Sequence, residues 1–283
     1  SIHTAGDNVF ILTYINGIAV FNRRKESVTG RFEKAQGLRS NLVRYMAKVK
    51  NDYWISTYSG LSIYKPAENR WINAEGNAPK NTLKSIEVTP EEVWVATLGE
   101  GLFRYDLSTE QWENFTVNHG APGIAVVGLK MDENKLWVAT LDGGIGYYNK
   151  TTKKWKKFHA AMGERARNIK CIEANRNYVF CGTFKHGLFV YDKRKKTWKN
   201  FTVENSKLTS NNLMSMKLIG NRLYIGTYNG GVTTIDLADE WKWGKIDTRD
   251  GLPSNDVTCI EQEGRFIWFG TINAGAAVYL EDR

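Results

Sequence analysis

Side chains that could perform chemistry are few in this sequence of 283 residues. It contains four histidines and three cysteines, and no two histidines have the spacing of metal ligands. Phosphate-loop, zinc-protease and serine-hydrolase motifs are absent. We therefore expect no metal, no cofactor and no catalytic residue. An odd number of cysteines in a long chain predicts core packing rather than a disulfide framework.

One catalytic alternative stays open. Polysaccharide lyases can act through histidine, tyrosine and arginine, and the sequence offers these types in His119, His186, Tyr228 and Arg167. Any chain of this length contains such a set, so a binding protein is the preferred interpretation. A polysaccharide lyase or hydrolase is the second alternative.

The most distinctive binding candidates are basic. Arg167 has Arg165 beside it, and Lys185 and His186 follow in the same stretch of sequence. Arginine and lysine bind carboxylates and sulfates through charge-assisted hydrogen bonds, and a histidine makes such binding sensitive to pH. We therefore expect an anionic ligand, provided that the fold brings these side chains together.

A repeat of about 43 residues indicates which elements would position them. Each copy has an anchor threonine, an aromatic residue three positions before it and a glycine four after it (three in the second copy). A second aromatic residue follows eight positions after the anchor in five of seven copies. The anchors are Thr13, Thr57, Thr97, Thr140, Thr183, Thr227 and Thr271.

Every copy predicts four short strands, A to D, with a glycine turn between B and C. In five of the six complete copies the residue twelve before the anchor is small, which suits an inner strand near a central axis. Units of this length with four strands are typical of β-propellers, and an open solenoid is less favoured. The sequence predicts an all-β fold with one domain over residues 1–283, a seven-bladed propeller of antiparallel blades. A short strand A is expected at Ile2–Ala5, and the last blade is expected to lack strand D unless residues outside the chain complete it.

Three stretches resemble the two-component regulator propeller repeat. They are Gly251–Val257 with Ile267–Thr271, Gly37–Val43 with Trp54–Thr57, and Ser210–Leu213 with Tyr224–Gly231. The resemblance implies a ligand-sensing propeller in the periplasmic part of a bacterial hybrid sensor kinase, a class that often detects carbohydrates. We expect a carbohydrate or an acidic oligosaccharide as ligand. The alternative is a protein–protein interaction scaffold of an exported assembly.

The same resemblance implies a periplasmic or otherwise extracytoplasmic location. The chain starts at Ser1 without a signal peptide, so we expect an excised or processed fragment. No stretch is long and apolar enough to span a membrane, and no motif indicates nucleic-acid binding.

The predicted site lies on the face where the D-to-A loops and B-to-C turns emerge, at the mouth of the central channel. Side chains just before strand A should line its rim: Arg39, Asn41, Lys80, Asn81, Arg167, Asn211 and Asn255. The B-to-C turns should add an outer ring: Tyr58, Lys185, His186 and Tyr228. The four asparagines share one repeat position, so bonding to their own loop backbone is the alternative role for them.

Positive charge is concentrated in one region of the chain, whereas the tryptophans follow the repeat. Residues 150–200 carry a net charge of +12 against +9 for the whole chain. Lysines on outer strands are expected to prevent pairing between strand edges, and the alternative is that they bind nucleic acid or another acidic surface. Nine of the ten tryptophans recur at two repeat positions, which indicates packing rather than sugar stacking.

Overall fold

The structure, a computed structural model, describes residues 2–158 and 168–280. Apart from its first two residues, the chain divides into two compact units, residues 3–157 and residues 158–283. In each described sheet the strands follow chain order and neighbours are antiparallel.

Four sheets of four strands make up the first part of the chain. Sheet 1 contains β1 (Ile2–Ala5), β2 (Asn8–Leu12), β3 (Ile18–Asn22) and β4 (Ser27–Phe32). Sheet 2 contains β5 (Val43–Val49), β6 (Asp52–Thr57), β7 (Gly60–Lys65) and β8 (Arg70–Asn73). Sheet 3 contains β9 (Leu83–Val88), β10 (Glu92–Thr97), β11 (Leu102–Asp106) and β12 (Gln111–Phe115). Sheet 4 contains β13 (Val126–Asp132), β14 (Lys135–Thr140), β15 (Ile145–Asn149) and β16 (Lys154–Lys157).

Three further sheets follow, and the last has three strands. Sheet 5 contains β17 (Ile169–Ala174), β18 (Tyr178–Thr183), β19 (Leu188–Asp192) and β20 (Thr197–Phe201). Sheet 6 contains β21 (Leu213–Ile219), β22 (Arg222–Thr227), β23 (Val232–Asp236) and β24 (Lys242–Ile246). Sheet 7 contains β25 (Val257–Glu263), β26 (Phe266–Thr271) and β27 (Ala276–Leu280).

Short 3-10 turns are the only described helical elements. They lie at Lys34–Gln36, Pro66–Glu68, Val117–His119 and Thr248–Asp250. Seven consecutive meander sheets are the blades of a β-propeller. The prediction of a seven-bladed propeller whose last blade has three strands is confirmed, and β1 occupies the predicted first strand A.

The second strand of a blade carries the core. All six residues of β10 are buried, because both faces of this strand are covered. The small residue twelve before the anchor, replaced by Tyr45 in sheet 2, faces another small residue on strand B, as Cys171 faces Gly182 and Cys259 faces Gly270. A Cβ added at Gly182 would lie 2.5 Å from the Cys171 Sγ, so the small size of this pair is a packing requirement.

A β-bulge begins strand A in sheets 2 to 7. The register between strands A and B shifts by one residue after the first residue of strand A. The extra residue lies thirteen positions before the anchor in each case: Arg44, Lys84, Val127, Lys170, Met214 and Thr258. Bulges re-aim a side chain, and three of these six are cationic.

Candidate functional site

The anchor threonine holds every B-to-C turn in one shape. Its Oγ1 donates a hydrogen bond to the carbonyl oxygen of the turn glycine in all seven copies, at 2.7–2.9 Å. Those glycines have positive φ, and a Cβ on Gly101 would lie 2.3 Å from the Phe115 carbonyl oxygen. The invariant threonine and glycine are therefore structural, and the residues between them form the exposed turn.

The asparagine position has a structural use in three of its four copies. The Oδ1 atoms of Asn41, Asn211 and Asn255 accept backbone N–H groups seven or eight residues earlier, at 2.6, 3.0 and 3.1 Å. At the fourth copy the carboxylate of Glu100 instead accepts the backbone N–H groups of Lys80 and Asn81, at 3.1 and 3.0 Å. These contacts shape the loop before strand A. This is the structural role given above as the alternative to ligand binding.

Arg39 is also tied to the protein. Its Nη1 donates to the Ala74 carbonyl oxygen at 3.0 Å and to the Glu75 carboxylate at 3.1 Å. Its backbone N–H donates to the Ser62 hydroxyl at 2.9 Å. Arg39 thus fastens the loop of sheet 2, and a ligand would have to compete with Glu75 for it.

Tyr58 belongs to an aromatic–guanidinium cluster in the first unit, together with Tyr14 and Arg44. The two tyrosine hydroxyls lie 2.9 Å apart, and the rings meet edge to face at 87°. The Arg44 guanidinium lies 5.0 Å from the Tyr14 ring centroid and 4.6 Å from that of Tyr58, and its Nη2 donates to the Tyr58 hydroxyl. Tyr14 is 59% exposed, so the cluster opens to solvent. We call it the Tyr14–Arg44–Tyr58 cluster.

This cluster has donor capacity left. The Nε of Arg44 is buried and has no hydrogen-bond partner, and within the described residues Arg44 forms no ion pair. The hydrogen bond with Tyr58 raises the pKa of the Tyr14 phenol above its usual value. A guanidinium that no carboxylate pairs with, beside an exposed ring, can bind an anion attached to a flat, apolar surface.

Sheet 5 repeats the arrangement with lysine. Lys170, the bulge residue, has its Nζ 5.8 Å from the ring centroid of Phe184, and the Lys185 Nζ lies 6.0 Å from the same ring. Lys185 adopts a positive φ of 83° and is exposed. The backbone N–H of His186 donates to the anchor hydroxyl of Thr183 at 3.2 Å.

The predicted group of Arg167, Lys185 and His186 is described only in part. Arg167 and Arg165 lie outside the described residues, so their meeting with Lys185 stays a prediction. The turn that carries Lys185 and His186 does meet the asparagine loop of the next sheet, because the Gly187 N–H donates to the Asn211 carbonyl oxygen at 3.0 Å. Tyr228, 39% exposed, occupies the corresponding turn of sheet 6, whose Gly231 donates in the same way to Asn255 at 2.9 Å.

Sequence reasoning missed Tyr14, Arg44, Lys170 and Phe184, and two repeat positions could have revealed them. The residue after each anchor is apolar or aromatic in all seven copies: Tyr14, Tyr58, Leu98, Leu141, Phe184, Tyr228 and Ile272. From the second copy on, its backbone N–H donates to the carbonyl oxygen sixteen positions earlier, beside the strand A bulge. A cation at the bulge and a ring after the anchor therefore face each other within one blade.

Nucleophilic chemistry lacks support in the described residues. Burial raises the pKa of Cys171 and Cys181, which keeps both thiols protonated and unreactive. His119 of the lyase set instead caps a 3-10 turn, with its Nδ1 3.1 Å from the Thr116 hydroxyl. Across residues 2–158 and 168–280, no three potential metal ligands cluster.

Comparisons with known proteins agree with the fold. The sequence model of the family described as two component regulator propeller matches residues 251–273, which confirms the resemblance. No curated protein matches the chain in sequence. Within the described part of the chain, no helix has the length and apolar character needed to cross a bilayer.

Two solved proteins are informative. One is the extracellular domain of BT4673 from B. thetaiotaomicron, assigned as a one component system in one structure and as a hybrid two component system in another. These structures are 17% and 18% identical to this chain, with TM-scores of 0.77 and 0.76, and the match covers 99% and 98% of this chain but 39% of theirs. The other is PorZ, a surface component of the type-IX secretion system of Porphyromonas gingivalis, at 15% identity and a TM-score of 0.72, covering 99% of this chain and 46% of PorZ. The chain spans less than half the length of either protein, and at these identities the likeness establishes the shared fold.

Proposed function

We propose that this chain is a ligand-sensing propeller from the extracytoplasmic region of a bacterial two-component regulator, and that it recognises an acidic oligosaccharide. The family match at residues 251–273 and the fold shared with the extracellular domain of BT4673 support the sensor role. The Tyr14–Arg44–Tyr58 cluster is the observation that carries the choice of ligand.

The cluster matches the two surfaces of an acidic sugar. A pyranose ring presents an apolar C–H face that packs on an exposed aromatic ring, and Tyr14 supplies such a ring. A uronate or sulfated sugar adds an anion, and the Arg44 guanidinium can bind it with two parallel hydrogen bonds. Lys170 and Lys185 around Phe184 offer the same combination in the second unit.

Titration of the whole chain with matched saccharides tests this function. Trigalacturonate, its neutral counterpart galactotriose and a sulfated disaccharide are compared by thermal shift and calorimetry. We expect the acidic sugars to raise the melting temperature by mass action, and Arg44→Gln to reduce that rise without changing any rise that galactotriose causes. Arg44→Gln should weaken trigalacturonate binding about tenfold or more, because it removes a charge-assisted bond.

Arg31→Gln is the matched control. Arg31 is an exposed arginine on β4, outside the cluster, and its replacement by glutamine removes the same charge. Equal losses in both variants would reduce the effect to net charge and overturn the assignment to Arg44. If galactotriose bound through Arg44 as tightly as trigalacturonate does, the proposal that the ligand is acidic would be wrong. Release of unsaturated products from trigalacturonate would establish the lyase alternative.

Docking to a protein is the second candidate function, and β27 is the observation that favours it. This strand pairs with β26 on one side, and its Val278 and Leu280 are 50% and 54% exposed. Within the described residues no strand covers the other edge. Such an edge can accept an extended segment of a partner protein, and PorZ shows the fold in a secretion-system component. A photocrosslinking residue in place of Val278 that captures one defined partner segment, and no longer does so after Leu280→Lys, would favour docking.

A further inference from the structure

We propose a second binding site in the second unit, selective for a neutral sugar ring and built around Trp241 between sheets 5 and 6. The inference does not rest on the function proposed for Arg44. It starts from a cavity of about 470 Å³. That volume lies within the range of pockets that hold small ligands.

Aromatic side chains form the walls of this cavity. Tyr178 and Phe201 line it from sheet 5, and Trp241 and Trp243 line it from sheet 6. Trp241 stacks on Phe201 with ring centroids 5.5 Å apart and planes at 29°, and it meets Tyr178 edge to face at 5.2 Å. The indole is thereby held in one orientation before any ligand arrives.

A one-residue insertion places Trp241 there. From the end of strand C to the strand D tryptophan the chain advances six residues in sheets 3, 4 and 5, but seven in sheet 6, from Asp236 to Trp243. The longer turn contains two successive residues with positive φ, Glu240 at 43° and Trp241 at 61°. Such backbone is costly for residues other than glycine, so the turn is maintained by what Trp241 packs against.

The insertion accompanies the loss of a repeated tyrosine. Sheets 3, 4 and 5 have Tyr105, Tyr148 and Tyr191 opposite the strand D tryptophan, whereas sheet 6 has Ile235. Trp241 reaches into the space next to Phe180, with ring centroids 6.1 Å apart. The Trp241 ring fills part of the space that a tyrosine at position 235 would occupy, and the cavity is the part that stays open.

Corresponding interfaces in the first unit are closed. Between sheets 1 and 2, Tyr64 lies 4.9 Å from Phe32 and 5.0 Å from Trp71, and the space they line has no room for a water molecule. Between sheets 3 and 4, Tyr148 lies 5.7 Å from Trp94 and 5.3 Å from Phe115. Lys150 of sheet 4 also pairs with Glu92 at 2.8 Å, next to the ion pairs that Arg104 forms within sheet 3 with Glu92 and Glu113 at 3.1 and 2.7 Å.

Sheet 5 has different residues at those three charged positions. Tyr178, Val190 and Lys199 occupy the repeat positions of Glu92, Arg104 and Glu113. Sheet 5 therefore lacks the ion network of sheet 3, and the aromatic contacts that Trp241 and Trp243 make with Phe201 leave the cavity open. The cavity therefore arises from residues particular to sheets 5 and 6 and is not a general property of the repeat.

The polar rim selects for a neutral ligand. Lys195 and Lys199 stand against Asp192 and Glu240, so cations and acids balance around the cavity. Sugar hydroxyls both donate and accept, and an ammonium group beside a carboxylate satisfies both roles. A carboxylate-bearing sugar gains no net attraction from this rim, because Asp192 and Glu240 offset Lys195 and Lys199, whereas a neutral pyranose can place its C–H face on the rings.

Calorimetry and saturation-transfer NMR on the whole chain test the site with maltose, cellobiose and lactose, and with digalacturonate as the acidic comparison. We expect at least one neutral disaccharide to bind in the millimolar range or tighter. Trp241→Ala should weaken that binding about tenfold, and Glu240→Gln severalfold. Lys196→Gln, in the neighbouring turn but outside the cavity lining, should leave it unchanged.

Glu240→Gln guards against misfolding in the tryptophan variant, because Glu240 is exposed and outside the core. Failure of every neutral disaccharide to bind would overturn the proposal, as would binding that survives both Trp241→Ala and Glu240→Gln. Digalacturonate binding more tightly at Trp241 than the neutral sugars would overturn the selectivity. Neutral-sugar binding that is abolished by Arg44→Gln and kept by Trp241→Ala would place the ligand at the first cluster instead.

Discussion

At the scale of single residues, the anchor threonine contributes through its hydroxyl. In sheet 3, Thr97 is fully buried, donates to the Gly101 carbonyl oxygen at 2.7 Å and accepts the Glu100 N–H at 3.0 Å. Thr97→Val keeps the shape and removes both bonds, so it should lower the free energy of unfolding by about 1–3 kcal/mol. Urea denaturation measures the loss. Thr97→Ser keeps the hydroxyl and should lose less; a serine variant as unstable as the valine variant would show that the methyl group matters more.

Asp247 links stability to pH. It begins the 3-10 turn Thr248–Asp250, and hydrogen bonds from the Arg249 side chain and backbone, with Lys245 at 3.0 Å, hold its pKa well below the usual range. In the unfolded chain an aspartate protonates near pH 3.9, so below about pH 5 the unfolded state binds more protons than the native state. The stability that Asp247 contributes is therefore present above that range and is lost as the pH falls.

Melting curves between pH 6 and pH 2.5 measure this contribution. Asp247→Asn should melt at a lower temperature than the native chain at pH 6, and its melting temperature should fall less steeply below pH 5. Asp239→Asn, an exposed aspartate paired with Lys242 at 3.5 Å, is the control and should leave the slope nearly unchanged. Parallel slopes for the native chain and Asp247→Asn would contradict the role of Asp247.

At the scale of elements, the outer strand β16 shows how its edge is protected. It pairs with β15 on one side, and Lys154, Lys156 and Lys157 on it are exposed. Charged side chains on an edge strand oppose pairing with another chain. Lys154→Gln with Lys157→Gln should therefore increase self-association, measured by sedimentation velocity.

Arg194→Gln with Lys196→Gln is the charge-matched control for that experiment. Both residues are exposed and lie in a turn rather than on an edge strand. Replacing them should leave the association state as it is in the native protein. Equal association in the two double variants would attribute solubility to total charge instead of edge protection.

At the scale of the whole molecule, burial divides each blade into a stable inner part and an exposed outer part. The second strands β10 and β14 are almost entirely buried, whereas β4 is exposed along nearly its whole length. Opening of the outer strand requires less exposure of apolar surface, so its hydrogen-bonded amides should exchange first. Hydrogen–deuterium exchange read by mass spectrometry should show protection decreasing from second to fourth strands in every four-stranded sheet. Exchange of β10 at the rate of β12 would contradict this order.

For the molecule as a whole, the sequence predicts the fold well and the candidate sites only in part. The blades were predictable because the threonine–glycine bond and the paired small residues recur at fixed spacing, and a local requirement met in every blade leaves a periodic signal. The Tyr14–Arg44–Tyr58 cluster leaves a weaker signal, since it joins two sheets and depends on a bulge that the sequence does not mark. Trp241 leaves only an indirect signal, the one-residue insertion after Asp236 and the missing tyrosine at Ile235, because its position follows from packing into the space vacated there. Arg39 is the opposite case. The sequence predicts this basic residue at the rim of the site, but its side chain is bound by Glu75.

The bond between each anchor hydroxyl and its glycine carbonyl uses only the first and last residues of the turn. The residues between them, three in every copy but the second, join the shared hydrogen bonds through their backbone N–H groups, so a turn can be moved from one blade to another as a unit without losing these bonds. Tyr14-Ile15-Asn16 and Ile272-Asn273-Ala274 have the same length between the same two end residues. Exchanging one triplet for the other would change which chemistry a blade presents while leaving its framework intact. In this architecture, new recognition can arise by shuffling turns, without inventing a new fold.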